Sequence, residues 1–258
     1  MLNRLENPPF KTIDKIDIIK AKKDKLKNGI DFFSINAGSQ EITKIEFVFK
    51  AGMYYQPAPL IASTTNTLLE SGTRSFSANQ ISDGIDFFGS FLELEVGQDF
   101  ATVTLYSLNK YLDKSLKFVE EILKFPTFPA DEFKIHLANK KQKHLINSQK
   151  VDIVARREFS ELLFGKKHPY GVQVKDNDFE RITIDEIKTF FSNYYHSGNC
   201  TIIASGHLPK DIVDTLNSSF GNDNWGKTTA LKTNKANLET TKQQKHFISV
   251  LSFYFRKI

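Results

Sequence analysis

Ile45, Phe47 and Phe49 alternate with Lys44, Glu46, Val48 and Lys50. A period of two places the three large apolar side chains on one face of an extended strand, with charged groups mostly on the other. Such a strand is stable only as part of a larger sheet whose apolar face is covered. Two β-like runs precede it, Asp17–Lys20 and Ile30–Asn36, and Asn28-Gly29 lies between them. Asn-Gly between apolar segments is a strong hairpin signal, because both turn positions need positive φ. The third run covers Ile42–Phe49 and follows the polar turn Ala37-Gly38-Ser39-Gln40.

Helix signals come next. A helical stretch starts near Leu60 and runs to Gly72. Ser77 with Gln80 three residues later forms a capping box, and Ile81, Ile85 and Phe88 recur at helical spacing. Strands Phe91–Val96 and Phe100–Leu108 flank Gly97-Gln98-Asp99. A helix over Leu112–Leu123 ends at the break Phe125-Pro-Thr-Phe-Pro129, and a long helical segment from Asp131 to Phe164 is interrupted around Asn147–Lys150. Thr183 and Glu186 cap a helix over Ile184–Tyr195, followed by a strand Cys200–Ser205 and a last helix Lys210–Phe220. This order predicts an α+β fold: an antiparallel sheet of five or six strands with helices mainly on one face.

Composition narrows the function. With 40% hydrophobic and 25% charged residues the chain has the make-up of a globular protein with a sizeable core. Its net charge of +5 comes from 29 Lys and six Arg against 30 acids, scattered along the chain rather than gathered with aromatic partners, so nucleic-acid binding is not expected. The one cysteine, Cys200, excludes an internal disulfide, and its place in an apolar strand marks a structural thiol. No stretch reaches the roughly 20 apolar residues that span a bilayer, and the N-terminus lacks a secretory apolar run. No membrane association and a reducing cytoplasm are the expectation.

The helix ending in Gly72-Thr73 and the later His168-Pro169-Tyr170-Gly171 together resemble the peptidase M16 family, which includes insulinase, pitrilysin and the mitochondrial processing peptidase. The resemblance covers about residues 15 to 220, one α+β repeat of the LuxS/MPP-like metallohydrolase type. In the active family this helix carries His-x-x-Glu-His: two His one turn apart share zinc, and the Glu polarises the attacking water. With Gly72-Thr73 as anchor, the His positions fall on Ser63 and Thr67 and the Glu on Asn66. The third ligand, a Glu on the long helix, falls on Lys143, with Gln142 and His144 as neighbours. Hydroxyls of ordinary pKa do not replace imidazoles, Asn takes up no proton, and Lys repels a cation. The resemblance thus implies a degenerate motif, no catalytic residue, no metal ligand and no bound zinc.

Other candidates are weaker. His136 and His144 lie eight residues apart on one helix, about 12 Å along its axis, too far to share one zinc. The nearby Lys134, Lys140, Lys141, Lys143 and Lys150 read as a solvated face, Arg156 and Arg157 with Glu158 as surface pairs, and His168 and His207 as turn residues. In the active family an edge strand pairs with substrate, and here Phe91, Leu92, Glu93 and Leu94 occupy it. Its backbone can still pair with a peptide, because side chains do not make those hydrogen bonds.

The expected organisation is an N-terminal arm at 1–14, the α+β domain at 15–220, a polar linker at 221–245 and the start of an incomplete segment at 246–258. The resemblance implies a non-catalytic subunit that pairs with an active M16 metallopeptidase and helps enclose a chamber for peptides or unfolded segments. A zinc-dependent endopeptidase with a non-standard site and a stand-alone peptide-binding module are the alternatives.

Overall fold

The alternation over Ile42–Phe49 marks a strand at the centre of the sheet. In the computed structural model, which describes residues 18–226, six strands form one sheet: β1 (Lys22–Lys25), β2 (Asp31–Asn36), β3 (Ile42–Phe49), β4 (Phe91–Val96), β5 (Ala101–Leu108) and β6 (Cys200–Gly206). Their spatial order is β1-β2-β6-β3-β5-β4. Four neighbouring pairs are antiparallel, whereas β2 and β6 are parallel, so the sheet is mixed. The parallel pair arises because the last strand returns from the helical half and inserts between β2 and β3. That insertion is a long-range event with no local signal in the residues of β6.

The helices are α1 (Ile61–Thr67), α2 (Ala78–Phe87), α3 (Leu112–Lys124), α4 (Ala130–Asn147), α5 (Val151–Phe164), α6 (Asp178–Arg181), α7 (Ile184–Tyr194) and α8 (Ile212–Leu216). Both predicted capping boxes form. The Ser77 amide donates to Gln80 Oε1 at 2.9 Å and the Thr183 amide to Glu186 Oε2 at 2.8 Å, while each cap hydroxyl accepts from the third residue of its helix. The predicted long helix divides into α4 and α5 at Ser148–Lys150.

Register decides which side of the sheet becomes core. Ile45, Phe47 and Phe49 lie opposite Leu105, Val103 and Ala101 on one side and Ala204, Ile202 and Cys200 on the other. All nine are buried. Leu116, Val119 and Ile122 of α3 and Ile187 and Phe190 of α7 belong to the same core cluster. Phe47 meets Phe220 with ring centroids 4.6 Å apart, and Phe49 meets Tyr195 at 4.8 Å. Truncating a fully buried Phe of this kind costs about 3–5 kcal/mol, through lost transfer energy and the cavity left behind. The opposite face carries Lys44, Glu46 and Tyr106, and Lys44 pairs with Glu46 at 2.9 Å.

Two details differ from expectation. The first strand lies at Lys22–Lys25 rather than Asp17–Lys20; Ile18 and Ile19 are exposed, and Asp17 lies outside the described residues. The Asn28-Gly29 turn does join β1 to β2, with Gly29 at φ 90°. The segment expected as linker begins inside the packed domain, because Trp225 is buried and its ring lies 6.1 Å from Phe49. The rest of the linker, the final segment and the N-terminal arm fall outside the described residues.

Candidate functional site

The short turn after α1 fixes that helix relative to α4. Gly72 has φ 152°, and its carbonyl accepts from the Thr127 amide at 3.0 Å. The Thr73 hydroxyl oxygen accepts from the Phe76 amide at 3.0 Å, and Thr73 bridges to Pro126. The Gly-Thr anchor therefore clamps the end of α1 to the segment that enters α4. The two helices face each other across a cleft of about 570 Å³.

Ser63, Thr67 and Lys143 all line this cleft, so the structure gathers three of the four degenerate positions. The side chains of Ser63 and Thr67 also bond their own helix, donating to Leu60 O at 3.2 Å and Ser63 O at 3.0 Å. Asn66 points elsewhere and is buried. Its Nδ2 donates to Glu95 O at 3.0 Å and Thr102 O at 3.3 Å, and its Oδ1 accepts from the Tyr195 hydroxyl at 3.0 Å. Both donor and acceptor ends of the amide are thus used to join α1 to β4, β5 and the end of α7. Within Ser63–Thr67, Thr64, Thr65 and Asn66 are buried.

Lys140 is the residue that sequence reasoning misplaced. Within the Lys run expected to face solvent, its Nζ turns into the cleft and donates to Ser63 Oγ at 2.6 Å. Burial, assisted by the neighbouring charge of Lys143, brings its pKa down to about 8. The signal was in the spacing. His136, Lys140, Lys143, His144 and Asn147 fall at i, i+4, i+7, i+8 and i+11, one helical stripe, and all line the cleft. His136 has a buried Nε2 without a partner among the described residues, and burial followed by the Lys140 charge lowers its pKa to about 4. Arg157, expected in a surface ion pair, instead donates to Ser148 Oγ at 3.3 Å and lies 3.5 Å from His144 Nδ1.

Pro169 of His168-Pro169-Tyr170-Gly171 and the following Val172 line the cleft. The His168 ring is used locally, as expected for a turn residue: its Nδ1 accepts from the Tyr170 amide at 3.2 Å. The Tyr170 hydroxyl donates to Asp99 Oδ1, which pushes its pKa up to about 12. A Cβ on Gly171 would lie 2.2 Å from Gly165 O, so only glycine allows this close turn. His207 lies 3.3 Å from Gly38 O through its Nδ1. Burial of Cys200 pushes its thiol pKa up, in keeping with a packing role.

β4, carrying Phe91, Leu92, Glu93 and Leu94, is an edge strand: among the described residues it pairs with β5 alone. Phe91 is exposed and the other three are half-buried. The donor set of the cleft does not suit zinc. It offers two hydroxyls, three amides, two separated imidazoles and three cationic side chains, and among the described residues no three His, Cys, Asp or Glu converge to hold a metal ion.

No family model matches the chain, and no curated protein matches it in sequence. Its fold is nevertheless shared with solved structures. A peptidase M16 inactive domain from Pseudomonas fluorescens superposes with a TM-score of 0.73 at 24% identity, over 84% of this chain and 54% of that one. A protease from Helicobacter pylori gives a TM-score of 0.76 at 19% identity, with the same coverage of 84% and 54%. An M16-like peptidase from Alicyclobacillus acidocaldarius gives 0.73 at 11% identity over 86% and 54%. The chain therefore spans about half the length of these structures. What these likenesses show is the fold, an α+β architecture that this chain shares with a peptidase M16 inactive domain and an M16-like peptidase.

Proposed function

We propose that this protein is a non-catalytic M16-like subunit that pairs with an active M16 metallopeptidase and contributes wall to a peptide-binding chamber. The observation that carries this reading is the content of the cleft. Lys140 bonded to Ser63 stands beside Lys143 where the resemblance puts a metal centre, and Asn66 is committed to backbone carbonyls. No zinc is expected to bind there. Two surfaces support association. Among the described residues the outer side of β4 is unpaired, as strand addition requires. Ile135, Leu145 and Ile146 of α4 and Val151, Phe159 and Leu162 of α5 expose apolar surface of the kind that partners cover.

Among the described residues no helix is long and apolar enough to cross a membrane, and a cytoplasmic location fits the single buried thiol. Affinity purification of the full-length protein from its own cells tests the assignment. A homologue bearing His-x-x-Glu-His should elute in stoichiometric amount, with peptidase activity that depends on that partner. Elution of the chain alone with one tightly bound zinc and chelator-sensitive cleavage would establish the non-standard endopeptidase instead. Elution alone with peptide binding and no cleavage would establish the stand-alone module.

A further inference from the structure

The cleft between α1, α4 and α5 concentrates positive charge without a matching acid. The cations Lys140, Lys143 and Arg157 line it beside the imidazoles of His136 and His144, and among the described residues no Asp or Glu does. Among the described residues, no carboxylate lies within ion-pair distance of Lys140, Lys143 or Arg157. Acids act on its neighbours: Asp176 and Asp178 on His144, and Glu180 on Lys141 at 3.2 Å.

Lys140 carries three N–H donors, of which one goes to Ser63 Oγ. The proton of that hydroxyl is given in turn to Leu60 O at 3.2 Å, so Ser63 orients the ammonium without neutralising it. Met53, Leu60, Val174 and Phe179 supply apolar wall, which strengthens any charge pair formed inside by lowering the local dielectric. The lowered pKa of Lys140, at about 8, reflects burial and the unrelieved charge of Lys143. A negative group placed between the two would relieve both.

We propose that this cleft binds a carboxylate carried by a peptide, held by Lys140, Lys143 and Arg157. The inference rests on the peptide-binding reading above and names the chemical group that the cleft selects. Peptide is the favoured source because α1 walls the cleft with Ser63 and Thr67 and on its other face packs against β4, an edge strand among the described residues. A chain added to that edge therefore lies one helix away from the cleft. The carboxylate can be a C-terminus or an Asp or Glu side chain.

Two pools of short mixed-sequence peptides test the proposal, one with free C-terminal carboxylates and one amidated. Each is passed over the immobilised full chain, and retained peptides are identified by mass spectrometry. The expected result is enrichment of about tenfold for peptides bearing a carboxylate, the usual scale for a charge-assisted hydrogen bond. Preference for the free-acid pool identifies a C-terminus, and preference for Asp or Glu within the amidated pool identifies a side chain. Inorganic phosphate should compete. Lys140→Met should abolish the enrichment, as should Lys143→Gln, a substitution at an exposed position that leaves the fold intact. Retention of both pools without regard to carboxylates would overturn the proposal while leaving peptide binding standing. Retention of neither would overturn both.

Discussion

Lys140 Nζ donates a 2.6 Å hydrogen bond to Ser63 Oγ across the cleft. The two residues lie 77 positions apart in sequence, one on α1 and one on α4. The link places an ammonium on the position that the resemblance gives to a zinc-binding imidazole. It makes the cleft a cation-lined pocket, a different electrostatic object from a metal site of the same shape.

Rebuilding a metal site should therefore need more than the helical motif. Ser63→His, Asn66→Glu and Thr67→His restore two ligands and a base, but Lys140 and Lys143 remain. At about 4 Å and an effective dielectric of 20, each like charge opposes the ion by roughly 4 kcal/mol before the ion's second charge is counted. The triple variant should bind zinc weakly. Adding Lys143→Glu should tighten binding, and adding Lys140→Met as well should tighten it again. Chelator competition measures all three. Equal affinity in the triple and quadruple variants would show that residue 143 is not where the third ligand belongs.

Asn66→Asp should destabilise the fold by roughly 2–4 kcal/mol, although the change is nearly isosteric. The substitution removes the two N–H donations to Glu95 O and Thr102 O and sets an acceptor against carbonyl oxygens in a buried place. For a domain of this size the loss corresponds to a fall of roughly 4–16 °C in melting temperature. An unchanged melting curve would refute the stapling role. The same penalty falls on Asn66→Glu and is a second obstacle to the rebuilt site.

Stability should fall as pH drops from about 6.5 to about 4, in part through His136. Its folded pKa is lowered to about 4 from 6.5, by burial and then by the Lys140 charge. Between those values the unfolded chain binds a proton that the folded one refuses, so acid favours unfolding and the full contribution is present only above 6.5. His144 and His196 are also lowered, mainly by burial, and act in the same direction. His136→Leu should flatten the urea midpoint against pH over this window. An identical slope in variant and parent would remove His136 from the account.

Gly52→Ala should cost about 1–3 kcal/mol, the range for forcing atoms into packed space. A Cβ there would stand 2.5 Å from both Asp99 C and Gln98 O, backbone atoms of the β4–β5 turn. The Gly52 amide donates to Asp99 O at 3.2 Å, so the contact cannot open without losing a bond. Gly97→Ala in the same turn is the control, since its Cβ would meet only Phe100 O at 3.6 Å. A comparable loss of melting temperature in both variants would contradict the steric argument.

The sequence by itself determined whatever depends on neighbours along the chain. The alternation Ile45-Phe47-Phe49 fixed a strand and its buried face, Asn28-Gly29 fixed the β1–β2 turn, and Ser77 and Thr183 fixed two helix starts through bonds closed within three residues. The resemblance carried by Gly72-Thr73 and His168–Gly171 led to the M16-like fold and placed Ser63, Thr67 and Lys143 on one cleft. Tertiary structure alone decided the parallel insertion of β6 beside β2, the packing of Trp225 on Phe49 and the commitment of Asn66 to β4 and β5. It also decided that Lys140, one of several lysines on α4, leaves water for the cleft. A lysine's surroundings are set by the helix it faces, and that helix is brought there by a hydrogen-bonded turn and a shared core remote in sequence. The elements were therefore legible from local periodicity and the fold class through the resemblance, while the strand order and the charge of the site were not, because both depend on what the packed chain brings together from far apart in sequence.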